Sequence, residues 1–149
     1  MDYYEIMNTK IKSILEQGEG LRIEFKECRT ALNRDVYETV CAFLNRHGGE
    51  ILLGVNNSGK ITGIDNDAIE QIKKDFVNTI NNPSKISPSV YLSIEHLEFE
   101  GKHILYIYVP ESSQIHKCNS RIFDRNQDGD YDVTDNHQLV TSLYMNKQT

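Results

Sequence analysis

Glu19 and Glu24, with Lys26 two positions further on, are the first residues in the 149-residue chain whose types and spacing suit chemistry. A strand alternates its side chains with a period of two, so Glu24 and Lys26 in "LRIEFKE" would project from one face. A carboxylate beside an ammonium suits metal-assisted phosphodiester chemistry or a plain surface ion pair, and taken alone the pattern favours the ion pair. A second acidic run, "DRNQDGDYDVTD", spaces Asp124, Asn126, Asp128, Gly129 and Asp130 like the early ligands of a calcium loop, with Asp135 in the twelfth place. Such a loop leaves one helix and enters another and ends on a bidentate Glu, whereas "SRIF" here is strand-like. The run therefore reads as an Asp-rich β-turn that binds calcium no better than millimolar. His116 and Cys118 form an isolated H-x-C pair that lacks further ligands, and they read as two unrelated strand or loop residues.

Two short segments carry most of the local positive charge. One holds Arg22, Lys26, Arg29 and Arg34 against Glu24 and Glu27; the other holds Lys117, Arg121 and Arg125 against Asp124. The formal net charge of −6 argues against nonspecific coating of nucleic acid, but a patch on one face can still grip phosphates. That net acidity also leaves room for a protein interaction module with no nucleic-acid role. No run is apolar enough to span a bilayer, no signal peptide opens the chain, and the three cysteines lack C-x-x-C spacing. A cytoplasmic protein with no membrane contact is expected. No cofactor motif is read, and homo-oligomerisation is left open.

The stretch "HGGEILLGVNNSGKITGI" resembles a phosphate loop in its glycines alone, because such a loop puts them after a strand and before a helix. Here the order is helix, glycine pair, strand, turn, strand. Val36, Val40, Phe43 and Leu44 mark one face of a helix in "RDVYETVCAFLNR", Gly48 ends it, and Asn57, Ser58 and Gly59 turn the chain into a strand "KITGI". Gly54 lies inside the first strand, where a bulge or a close approach by backbone or ligand would account for it. A first helix runs from about Tyr3 to Gln17, with Ile6, Ile11, Ile14 and Leu15 inward, and stops at Gly18. A later helix shows Ile69, Ile72, Phe76 and Ile80 on one face, capped at Asp65 or Asn66 and ended before Pro83. "VYLSIEHLEF" and "KHILYIYVP" form a hairpin around Glu100 and Gly101, and the tail gives strand, turn, short strand and a final helix bearing Leu139, Val140, Leu143 and Tyr144. Together these predict a single α+β domain over residues 1–149, a mixed β-sheet with packed helices, with residues 1–18 as its N-terminal helix. The chain ends abruptly at a helix, as the N-terminal part of a longer protein would.

Glu19-x4-Glu24-Phe25-Lys26, Ala42-Phe43-x-Asn45, Gly48-Gly49 and Gly54-Val55-Asn56-Asn57-x-Gly59, in this order, resemble the Schlafen AlbA-type DNA-binding domain. "RIFDRNQDGDYDVTD" is similar to the strand and turn that follow in bacterial members. The resemblance runs from Glu19 over nearly all the remaining chain. It implies an α+β domain that binds DNA or structured RNA, in proteins commonly labelled bacterial transcriptional regulators or ATP-binding proteins. Any ATP would be held by a C-terminal region outside this sequence. With the two basic segments expected on one surface, phosphate contacts are expected through Lys26, Arg29, Arg34, Lys117, Arg121 and Arg125. Animal Schlafen endoribonucleases place two Glu in E-x4-E-F-K and an Asp after the glycine-bearing strand. Glu19 and Glu24 match the first two and would hold a divalent metal, while the third position falls at Asn57, or less well at Asn56. An amide can ligate through its carbonyl oxygen but brings no charge, so little or no nuclease activity is expected.

Overall fold

Met7, Ile11 and Ile14, spaced by four and three, lay one apolar stripe along α1 (Tyr3–Gln17), the first element of a computed structural model describing residues 2–148. Asp2 caps this helix by accepting the Glu5 amide at 2.8 Å, and Gly18, at φ 77°, ends it. Ile6, expected on the buried face, is half exposed because Met7 takes that place. β1 (Ile23–Lys26) pairs in parallel with β2 (Gly49–Leu53), which pairs antiparallel with β5 (Lys102–Val109), which pairs antiparallel with β4 (Ile94–Phe99). The result is a mixed sheet in the order β1-β2-β5-β4. α1 covers one face of it, packing on Phe25, Leu52 and Ile104.

The opposite face carries α2 (Asp35–Asn45) and α3 (Ile69–Ile80), against Ile51, Leu53, Leu105 and Ile107. The pattern Val36, Val40, Phe43, Leu44 implied one buried side for α2, yet Thr39, Cys41, Ala42 and Asn45 are buried as well. A helix apolar nearly all round must be covered on both sides. Here the second cover is an antiparallel sheet of β3 (Ile86–Ser87), β6 (Lys117–Cys118), β7 (Arg121–Asn126) and β8 (Gly129–Asp132), in the order β3-β6-β7-β8. α4 (His137–Asn146) closes the outer corner with Leu143 on Ile115, Ile122 and Val133. The fold is α+β, as the sequence predicts, but with two sheets around α2. β3 and β6 are two residues each and leave no periodic trace.

"KITGI" does not form the second strand of a hairpin. The Gly54 carbonyl accepts both the Thr62 and Gly63 amides, at 2.8 and 2.9 Å, and the Asn56 side chain accepts those of Ser58 and Lys60, so the segment curls back as a turn with a single bridge from Val55 to Ile61. Gly54 is required by this curl: at φ 95°, an added Cβ would lie 3.2 Å from the His103 carbonyl and 3.1 Å from Ile64. The helix expected to be capped at Asp65 starts later, at Ile69, behind a 3-10 turn over Asn66–Ala68. Asp65 is otherwise engaged, its amide donating to the Arg29 carbonyl and its carboxylate facing the Arg29 guanidinium. The acidic run is the turn of the β7–β8 hairpin, strand on both flanks. Among the described residues no helix is long and apolar enough to cross a membrane.

At its C-terminal end α2 is fastened to the second sheet by a buried amide. The Asn45 side chain donates to the carbonyls of His116 and Phe123, at 3.0 and 2.9 Å, and accepts the His116 amide at 2.7 Å. Gly48, at φ 75°, then turns the chain where a Cβ would sit 2.6 Å from the Val109 carbonyl. Truncating Asn45 leaves an amide and two carbonyls unpaired in the interior. Asn45→Ala should therefore lower the unfolding free energy by about 2–4 kcal/mol in urea titration, with the denaturant slope unchanged. A loss well under about 1 kcal/mol would show that water replaces the side chain.

Candidate carboxylate and phosphate-contact site

The β7–β8 hairpin folds over the end of β1, and Arg125 reaches from it into the interior. Its side chain is 2% exposed. Nη1 donates to Glu24 at 2.9 Å and to Asp130 at 2.8 Å; Nη2 donates to the carbonyls of Gly20 and Ile23 at 2.8 and 3.1 Å; the guanidinium carbon lies 4.8 Å over the Phe43 ring. Asp130 also accepts the Thr39 hydroxyl of α2. Next to it, Asp124 holds Arg46 through two hydrogen bonds of 2.9 and 2.6 Å. Four of the five carboxylates of the acidic run thus point apart and answer an arginine, with Asp132 and Asp135 both on Arg121.

Glu24, Lys26, Asn57, Asp130, Asp35 and Glu38 line one open cleft beside this clamp. The sequence brings Glu24, Lys26 and Asn57 together as expected, and the fold adds Asp130, which read only as a turn residue. Glu19 stands near the start of the α1–β1 loop, its carboxylate accepting the Phe25 amide at 3.1 Å. Partial burial, and a hydrogen bond and charge repulsion with Glu24, push the Glu19 carboxyl up to about 7. Burial would raise Glu24 too, but the hydrogen bonds from Glu19 and Arg125 outweigh it and hold Glu24 below the usual carboxylate range. The two carboxyls are thus pushed in opposite directions, Glu19 up and Glu24 down, the pattern of an acid–base pair.

A divalent ion does not suit these donors. Glu24 is committed to Arg125, the third position is an amide at Asn57, and the Lys26 ammonium shares the cleft. Among the described residues no three His, Cys, Asp or Glu side chains converge as a metal cluster. His116 and Cys118 have separate partners: the imidazole lies between the Ser112 hydroxyl and the Pro88 carbonyl, each at 2.7 Å.

The expected phosphate contacts divide into three groups. Arg125 lies inside the protein, clamped as described, and its charge is spent there. Lys26, Arg29 and Arg121 reach the surface region but face carboxylates: Lys26 with Asp35 at 3.3 Å, Arg29 with Asp65 at 3.4 Å, Arg121 with Asp132 at 2.8 Å. Arg34 and Lys117 are exposed, and among the described residues neither is in an ion pair. Arg34 shares a cavity with Lys85, Cys118 and Asn119, which brings the first basic segment beside the strand that carries Lys117. Lys85 went unread in the sequence, since it stands alone between helix and strand; no local signal marks it.

The profile of the family described as Schlafen, AlbA_2 matches residues 19–134. No curated protein matches the chain. Among solved structures, a crystal structure of a protein from Corynebacterium diphtheriae superposes with a TM-score of 0.60 at 18% identity, covering 89% of this chain and 31% of that one, a likeness of fold alone. The solution structure of the N-terminal domain of a Nitrosomonas europaea protein, described as a "Putative ATP-dependent DNA Helicase RecG-related Protein", gives a TM-score of 0.52 at 26% identity, over 68% of this chain and 72% of that one.

A carboxyl that binds its proton more tightly when folded favours folding below its unfolded value of 4.5, and that contribution is lost as pH rises through about 7. Wild type should therefore lose stability relative to Glu19→Gln between about pH 5 and about pH 8, read by urea unfolding across the series. Parallel profiles would mean that Glu19 titrates like a free glutamate.

Proposed function

The chain belongs to the Schlafen, AlbA_2 family, and on that premise we propose that it is a nucleic-acid-binding domain, acting on DNA before structured RNA, at the N-terminus of a bacterial transcriptional regulator in the cytoplasm. The observation that carries the reading is the cavity that brings Arg34 and Lys85, exposed cations without carboxylate partners among the described residues, beside the Cys118 end of the second basic segment. Their charge is available to phosphate although the chain as a whole is acidic. Lys26, Arg29 and Arg121 extend the surface. Their ion pairs are with carboxylates at least one third exposed, weak bonds that a phosphate can replace. The relation to an N-terminal domain of a protein described as a DNA helicase supports the same class of ligand. Oligomerisation is not needed by this reading.

Binding of this kind is sequence-tolerant and salt-dependent. Fluorescence anisotropy with duplex DNA and with a folded RNA should give dissociation constants of roughly micromolar or weaker at physiological salt. Lys26→Ala and Arg34→Ala should each make the logarithmic salt slope shallower by about one. Absence of binding to either ligand at low salt, or a slope that neither substitution alters, would hand the domain to the protein-interaction reading.

A second reading, metal-dependent RNA cleavage, draws on the acid–base division between Glu19 and Glu24. The amide at Asn57 and the Arg125 clamp weigh against it. Incubation of the domain with tRNA and magnesium or manganese should leave the RNA intact, whereas Asn57→Asp would restore the third acid. Cleavage by wild type that vanishes in Glu24→Ala would replace the binding reading with the nuclease.

A further inference from the structure

Arg34, ahead of α2, and Lys85, ahead of β3, stand on the walls of one cavity of about 340 Å³, which opens to solvent between α2, α3 and the turn from β6 to β7. We propose, resting on the nucleic-acid reading above, that this cavity takes one unpaired nucleotide of the bound nucleic acid, its phosphate on Arg34 and Lys85 and its base and sugar against the remaining walls.

Two surface cations would suffice for a duplex. Its phosphates lie outside and its bases are stacked within, so the backbone can cross Arg34 and Lys85 without entering a cavity. These walls carry more than charge. Leu32 and the Tyr37 ring supply apolar surface, and the ring is held in place, stacked on Phe76 with centroids 6.0 Å and planes 19° apart while its hydroxyl donates to the Asp75 carbonyl at 3.4 Å. A fixed aromatic needs little ordering when a base settles against it, and it tolerates any base. Asp75, Thr79 and Asn119 add a carboxylate, a hydroxyl and an amide, the acceptors and donors that a sugar or the edge of an unpaired base needs once it leaves the stack.

Asp75 separates a nucleotide from a bare phosphate. A phosphate alone is repelled by a carboxylate in the same cavity, whereas the hydroxyl and amino groups of a nucleoside donate to it. Gln71 donates to one oxygen of that carboxylate at 2.8 Å, which leaves the other for a ligand. The opposite wall is firm as well: Asn119, at φ 50°, makes the turn between β6 and β7, and its backbone amide donates to the Lys85 carbonyl at 2.8 Å, which ties Lys85 to the second sheet. Size sets the number, because ligand cavities begin at about 300 Å³ and one this small holds a single nucleotide and not a stacked pair.

The test compares, by fluorescence anisotropy, a blunt DNA duplex with the same duplex carrying a short single-stranded overhang. The overhang should tighten binding on the order of ten-fold, the worth of one base placed on an aromatic side chain. Tyr37→Leu should cancel that preference and leave the salt slope on the blunt duplex unchanged, since both cations remain. In wild type, deoxycytidine monophosphate should compete for the overhang duplex and shift the NMR amide signals of Tyr37, Thr79 and Asn119, with inorganic phosphate and deoxycytidine each weaker by about ten-fold. Should Tyr37→Leu not fold, these wild-type comparisons decide alone. Equal, salt-dependent binding of the blunt and overhang duplexes would overturn the inference and leave the nucleic-acid reading standing, whereas no binding of either at low salt would remove both. Inorganic phosphate competing as well as the nucleotide would reduce the cavity to a phosphate contact and overturn the inference too.

Discussion

A guanidinium taken out of water must be surrounded by acceptors, and Arg125 is supplied from three separate parts of the chain. Glu24 and the Ile23 carbonyl come from β1, the Gly20 carbonyl from the approach to it, and Asp130 from β8, while Phe43 of α2 offers its ring face. Removing one partner would strand charge in the interior, where an uncompensated ion costs several kcal/mol. The hairpin can therefore dock in one register, the one that delivers Arg125 to all of them. The remaining N–H, on Nε, has no partner among the described residues, so the fit favours position over complete satisfaction.

The C-terminal end of α2 is held by the same logic in a different chemistry. Asn45 ties to the backbone on either side of β6 and Arg46 to Asp124, so buried polar groups fasten the helix to the second sheet while apolar side chains fasten it to the first. The cleft that holds Glu24, Lys26, Asn57 and Asp130 exists because these two layers meet along α2. Lys26 and Glu24 alternate with buried Ile23 and Phe25 in β1, which is why both face that cleft.

The helices, the β4–β5 hairpin and the helix-ending Gly48 were legible because each follows from a short-range period or a backbone requirement carried by adjacent residues. The role of Arg125 was not. In "SRIFDRN" its charge reads as surface, and the partners that bury it lie about a hundred positions away in sequence. One signal was present: Asp124 and Arg125 are adjacent in a strand yet both interior, so the period of two is broken where α2 and β1 press on β7 from two directions. "KITGI" failed for the opposite reason, its local alternation being overruled by two amides claiming one glycine carbonyl. At the candidate site, Glu19, Glu24 and Asn57 came from an ordered motif, whereas Asp130 and Lys85 could be found only in three dimensions.

The second sheet and α4 share a small apolar cluster of their own, Ile115, Ile122, Val133 and Leu143, with only Val140 packed beside it. Four side chains form a much smaller cluster than those flanking the first sheet, so this corner should open at a lower free energy than they do. Its amides should exchange with solvent as a cooperative group ahead of those in β2 and β5. Lifting it would carry Asp124 and Asp130 away from Arg46 and Thr39 together, which makes the two arginine clamps a single latch between a slow-exchanging core and a fast-exchanging flap.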